Sequence, residues 1–81
     1  MAKTLTLYTR QDCPLCDELA EGLHAVLGTS GHAVAPVDVD ADPSLKAKYG
    51  WDVPLLFDGG AEICRHELDL PAIQEWLRAN P

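Results

Sequence analysis

The chain has 81 residues, of which 47% are hydrophobic, and 13 acidic against 6 basic side chains give it a formal net charge of -7. That size admits one domain, residues 1–81, with a modest core, and the composition is far from that of a disordered chain. The acidity and the scattered Lys and Arg argue against nucleic acid and against an anionic membrane surface as partners, since both need clustered cations.

Lys3 to Tyr8 alternates with period two and reads as the first strand. Thr9 to Asp12 is a polar loop in which Arg10 and Asp12 bracket the approach to Cys13 with opposite charges. A helix begins at Cys13 or Pro14, since proline suits the first helical position, and runs to Leu27. Cys16, Leu19, Ala20, Leu23 and Leu27 form one apolar stripe with Val26 beside it, and Gly28 is a natural C-cap. His32 to Val39 is the second strand, with Pro36 marking an edge. Asp38, Asp40 and Asp42 lack the glycine and glutamate of a calcium loop and read as a loop plus a helix cap. A short helix, Pro43 to Tyr49, stops at Gly50. Leu55-Leu56-Phe57 is a buried strand, Asp58-Gly59-Gly60 a hairpin turn, and Ala61 to Cys64 its partner strand. Arg65 to Leu68 is a polar connection. Asp69 caps a last helix from Leu70 or Pro71 to Ala79, with Leu70, Ile73 and Leu77 as its apolar stripe and Trp76 in the helix-to-sheet core. The order β-α-β-α-β-β-α implies an α/β protein with a four-stranded mixed sheet flanked by three helices.

Cys13-Pro14-Leu15-Cys16 stands where a strand gives way to a helix. A thiol at a helix N-terminus faces unpaired N–H groups and the positive end of the helix dipole, and both favour the nucleophilic thiolate. Two cysteines three apart on a helix are within reach of one disulfide. The stripe turns Cys16 inward and leaves Cys13 exposed at the tip, so Cys13 attacks and Cys16 resolves. Cys64, isolated in a strand, reads as a buried, inert thiol. No His has metal-ligand spacing with the cysteines, and no metal is expected. Pro54 opens a strand, and Val53-Pro54 admits either peptide isomer. A cis bond would leave the Val53 backbone free to pair with an extended substrate. Trp51 reads as a packing residue, with lining of a substrate groove as its alternative role.

Tyr8-Thr9-Arg10-Gln11-Asp12-Cys13-Pro14-Leu15-Cys16 resembles the active-site stretch of glutaredoxins. The run from Val37-Asp38-Val39-Asp40 through Tyr49-Gly50 and Val53-Pro54 resembles the corresponding part of thioredoxins. The resemblance implies a thioredoxin-like fold and thiol-disulfide exchange, with Cys13 and Cys16 catalytic and Pro54 cis. It also implies that Arg10, Pro14, Leu15, Val53 and Pro54 contact the substrate, Arg10 through a glutathione carboxylate. The chain departs from glutaredoxins in carrying Leu15 for the usual Tyr and Asp52 for the usual Thr. It has Cys64-Arg65-His66-Glu67 where they carry a second Gly-Gly and an acidic residue.

The expected activity is therefore that of a glutaredoxin-like oxidoreductase acting on protein disulfides or glutathione mixed disulfides. It would have no bound cofactor, would use glutathione as reductant or co-substrate, and would work at a potential between about -270 and -200 mV. A thioredoxin-fold binding or adaptor module with weak or no glutathione-dependent activity is the alternative. The apolar stretch after Lys3, broken by Thr4, Thr6 and Thr9, does not resemble a secretory signal, and nothing approaches the ~20 apolar residues of a membrane span. Three cysteines do not make a secreted disulfide framework, so a reducing cytoplasm is expected, and a monomer is the separate expectation for assembly.

Overall fold

The computed structural model describes residues 2–81. Its elements are β1 (Thr4–Thr9), α1 (Pro14–Leu27), β2 (Ala33–Asp38), a 3-10 turn (Val39–Ala41), α2 (Pro43–Tyr49), β3 (Leu55–Asp58), β4 (Ala61–Arg65) and α3 (Leu70–Ala79). The strands form one mixed sheet in the order β2-β1-β3-β4. β1 runs parallel to β2 and antiparallel to β3, and β4 is antiparallel to β3 with a bulge at Leu56/Phe57. This is the expected α/β architecture, and Pro36 lies in an edge strand as its missing N–H requires.

Alternation along the strands decides what each face carries. Leu5, Leu7 and Leu56 point to one face, where Leu19, Leu23 and Leu27 of α1 and Ile73 of α3 close over them in a buried cluster that includes Cys64. Burying each such leucine contributes about 1.5–3 kcal/mol. Tyr8 and Phe57 point to the other face and meet Tyr49 of α2, with ring centroids 4.7 Å apart for Tyr8–Tyr49 and 5.8 Å for Tyr49–Phe57.

Three expectations are corrected. β2 is shorter than His32 to Val39, because Val39 leaves the sheet for the 3-10 turn, whose start is capped by Asp38 accepting the Asp40 N–H at 2.9 Å. Leu70 does not join the α3 stripe. It is the first residue of the helix, before the buried face is established, and is 47% exposed. Trp51 does not pack in the core: it is 95% exposed in the loop that follows α2.

Candidate active site at the sheet end

Three connections converge on one end of the sheet. β1 delivers the loop Arg10 to Cys13 there. β3 begins there at Leu55, opposite Tyr8, and β4 ends there at Arg65, opposite Leu55. Arg10 ties the first two connections together. Its Nη1 donates to the Gly50 carbonyl at 2.9 Å, while Nε and Nη2 donate to Asp40 at 3.0 and 2.6 Å. The Arg10 guanidinium holds the Asp40 carboxyl below the usual carboxylate range. The third connection joins through the His66 N–H, which donates to the Pro54 carbonyl at 2.7 Å.

Cys13 and Cys16 are joined in a disulfide, with their Cα atoms 5.2 Å apart. The sequence explains the local geometry. Asp12 takes a left-handed backbone (φ 56°), a conformation aspartate tolerates better than most residues, and so turns the chain into the helix. Cys13 is the N-cap, and its Sγ accepts the Cys16 N–H at 3.2 Å. Pro14 takes the first helical position. Cys16 is only 2% exposed, whereas Cys13 is half-buried rather than fully exposed. The inward and outward division expected of the pair therefore holds in graded form. Leu15, between them, is 46% exposed.

The Val53-Pro54 peptide is cis. Pro54 is buried and Val53 half-buried, and the Val53 N–H and C=O take no hydrogen-bond partner among the described residues. Cys64 is buried in β4, and that burial pushes its thiol pKa up. Among the described residues no group of three or more His, Cys, Asp or Glu side chains could hold a metal ion.

The structure thus brings Arg10, Cys13, Pro14, Leu15, Cys16, Val53 and Pro54 to the same end of the fold, but gives Arg10 an internal role. Sequence reasoning missed the Arg10–Asp40–Gly50 tie, whose partners lie 30 and 40 residues away. It also missed the ion pairs around Asp52. Arg65 approaches Asp52 at 3.6 Å while holding Glu62 at 2.6 Å, and His66 Nε2 approaches Asp52 at 3.4 Å. His66 sits at φ 69°, and no residue-type signal announced that turn.

Residues 4–78 match the family model of the glutaredoxin-like domain (DUF836). The chain belongs to this glutaredoxin-like family. It is similar to the X-ray structure of structural-genomics target protein XcR50 from X. campestris, with 40% identity, 95% of this chain and 99% of that chain covered, and a TM-score of 0.76. It is also similar to the solution structure of protein Ne2328 from Nitrosomonas europaea, with 28% identity, 91% and 89% coverage and a TM-score of 0.80. The holo form of glutaredoxin C1 from populus tremula x tremuloides shares the fold at 21% identity, with 96% and 77% coverage and a TM-score of 0.50. The fold is thioredoxin-like, and the glutaredoxin-like domain with its Cys13–Cys16 pair fits a thiol redox role. No helix among the described residues is long and apolar enough to cross a membrane.

Proposed function

We propose that this protein is a thiol-disulfide oxidoreductase that reduces protein disulfides or mixed disulfides through Cys13 and Cys16. The observation that carries the reading is the Cys13 sulfur at the N-cap of α1, accepting the Cys16 N–H beside a buried partner sulfur. A thiolate at that position is stabilised by the N–H group and by the helix dipole.

In the reduced form, the Cys13 thiolate attacks one sulfur of a substrate disulfide. The substrate S–S bond breaks, its leaving sulfur departs as a thiolate that takes up a proton, and a mixed disulfide joins the substrate to Cys13. Cys16, deprotonated, then attacks the Cys13 sulfur and expels the second substrate thiol. Two electrons pass to the substrate, and the protein is left with the Cys13–Cys16 disulfide seen here. A low-molecular-weight thiol or dithiol resets the pair. The unpartnered Val53 backbone is suited to hydrogen-bond an extended substrate strand beside the dithiol. The setting that suits this chemistry is a reducing cytoplasm, with the protein working as a monomer.

The test is single turnover of the reduced protein with a neutral peptide disulfide. The wild type consumes one disulfide per chain and ends with Cys13 and Cys16 joined, and Cys13→Ser consumes none. A wild type that leaves the peptide untouched would overturn the reading and favour the adaptor alternative.

A further inference from the structure

The end of the sheet that carries the dithiol is anionic, and its two arginines are already engaged. Arg10 is held by Asp40 and Gly50, and Arg65 by Glu62 and Asp52. His66 leans on Asp52 at 3.4 Å. Several carboxylates stand outside these pairs, Asp12 and Asp17 beside the dithiol among them. Glu18 and Glu67 line a cavity of about 260 Å³ between the foot of α1 and the β4–α3 connection, together with Leu15, Leu19, His66 and Leu68. Neither side chain takes an ion pair or a hydrogen bond among the described residues. A second cavity, of about 440 Å³, shares Glu67 and Leu68 with the first and adds Glu62, Cys64, Arg65 and Asp69, with Arg65 already paired to Glu62. The first cavity starts at the residue preceding Cys16, and Glu18 and Glu67 are its carboxylates.

Its wall is fixed. Leu68 lies so close to Gly22 of α1 that a Cβ there would come within 2.9 Å of Leu68 Cδ2. The half-exposed Leu15 supplies an apolar lip.

Glutathione suits this site poorly. It brings two carboxylates and needs free cations, but both guanidinium groups are occupied and Asp52 adds a further negative charge. A Lys or Arg side chain suits it well: its stem covers Leu15, Leu19 and Leu68 while its charged head meets Glu18 and Glu67. We propose that the preferred substrate of this dithiol is a disulfide in a protein segment that carries a basic residue beside its cysteine, and that the basic side chain enters the Glu18–Glu67 cavity. The proposal rests on the oxidoreductase reading above. The exchange step is the one written there, with the reduced dithiol itself as the two-electron donor.

The test uses three peptides that differ only in carrying Lys, Gln or Glu beside a cysteine in mixed disulfide with 2-mercaptoethanol. Each is reacted with the reduced protein in single turnover, and each rate is divided by that of dithiothreitol with the same peptide, which removes the intrinsic effect of charge on the disulfide. The expected order is Lys, then Gln, then Glu. The span should be about tenfold or more at low salt and should shrink at high salt, as screened steering requires. The double variant Glu18→Gln with Glu67→Gln should lose most of that span. Equal normalised rates would overturn the proposal and leave the oxidoreductase reading standing. A span that persists in the double variant would overturn it as well, because the charge would then be read elsewhere. Exchange with none of the peptides would overturn the oxidoreductase reading, and the proposal with it.

Discussion

Replacing Gly50 by alanine asks whether the two loops of the site are held as tightly as the geometry says. Gly50 follows α2, is buried, donates its N–H to Lys46 O at 2.9 Å and receives Arg10 on its carbonyl. A Cβ at this position would lie 2.4 Å from Lys46 O, a backbone atom. Restoring even a 3.0 Å contact requires a retreat of at least about 0.6 Å, which stretches the capping hydrogen bond and moves the carbonyl that Arg10 grips. Overpacking of this kind costs about 1–3 kcal/mol. For a chain of this length each kcal/mol lowers Tm by about 4–8 °C. Gly22→Ala is the matched comparison. Its Cβ also meets a close neighbour, at 2.9 Å, but that neighbour is the Leu68 methyl group, which can swing aside. Alanine in a helix interior regains about 0.5–1 kcal/mol over glycine, so Gly22→Ala should change stability by less than about 1 kcal/mol. Urea and thermal melts of the two variants, followed by circular dichroism, read the difference. A Gly50→Ala protein as stable as the wild type, or a Gly22→Ala protein that loses more than Gly50→Ala, would refute the reasoning.

Other outcomes follow from the hydrogen bonds and burial at particular residues. Trp76 Nε1 and Lys3 Nζ both donate to Asp58, at 2.9 and 3.1 Å, and hold its carboxyl below the usual range. A carboxyl lowered by folding stabilises the fold above its ordinary value near pH 4, and the benefit fades as pH falls through the folded value. Asp58→Asn should therefore destabilise the protein at pH 7 and much less at pH 2, and an equal loss in urea melts at both would contradict this. Arg10→Lys cannot hold Asp40 through two nitrogens and Gly50 at once. It should slow exchange by up to about a hundredfold through misplaced loops, and an unchanged single-turnover rate would refute the positioning role. Cys64, buried and with its thiol pKa raised, should be alkylated in the reduced native protein only after Cys13. Peptide mapping of a short iodoacetamide pulse at pH 7 checks that order.

Much of the fold was legible because local signals and burial agreed. Asp42-Pro43 marks a helix start that holds to the residue, and Pro14 and Asp69 mark two that hold to within one residue, because the capping side chain and the helix it opens are adjacent in sequence. The stripe on α1 is legible for the same reason, since its period is fixed by the helix itself. What escaped the sequence depends on partners far away. Arg10 looks free to meet an anionic substrate until the 3-10 turn brings Asp40 beneath it and α2 brings Gly50. Trp51 carries every residue-type signal of a core side chain, yet the turn after Gly50 projects it outward. The loop Arg65 to Leu68 reads as plain polar connection, whereas Leu68 packs against Gly22 and His66 reaches the Pro54 carbonyl. The dithiol itself was readable; the charge balance around it was not, because that depends on which carboxylates the arginines choose.

The most direct test of the central claim is to trap the first covalent step. Cys16→Ser, mixed in reduced form with a peptide disulfide and quenched with acid, should accumulate a mixed disulfide that mass spectrometry maps to Cys13. Cys13→Ser under the same conditions should accumulate none. Trapping at Cys16 or Cys64 in place of Cys13, or no adduct at all on Cys16→Ser, would contradict the assignment of Cys13 as the attacking thiol.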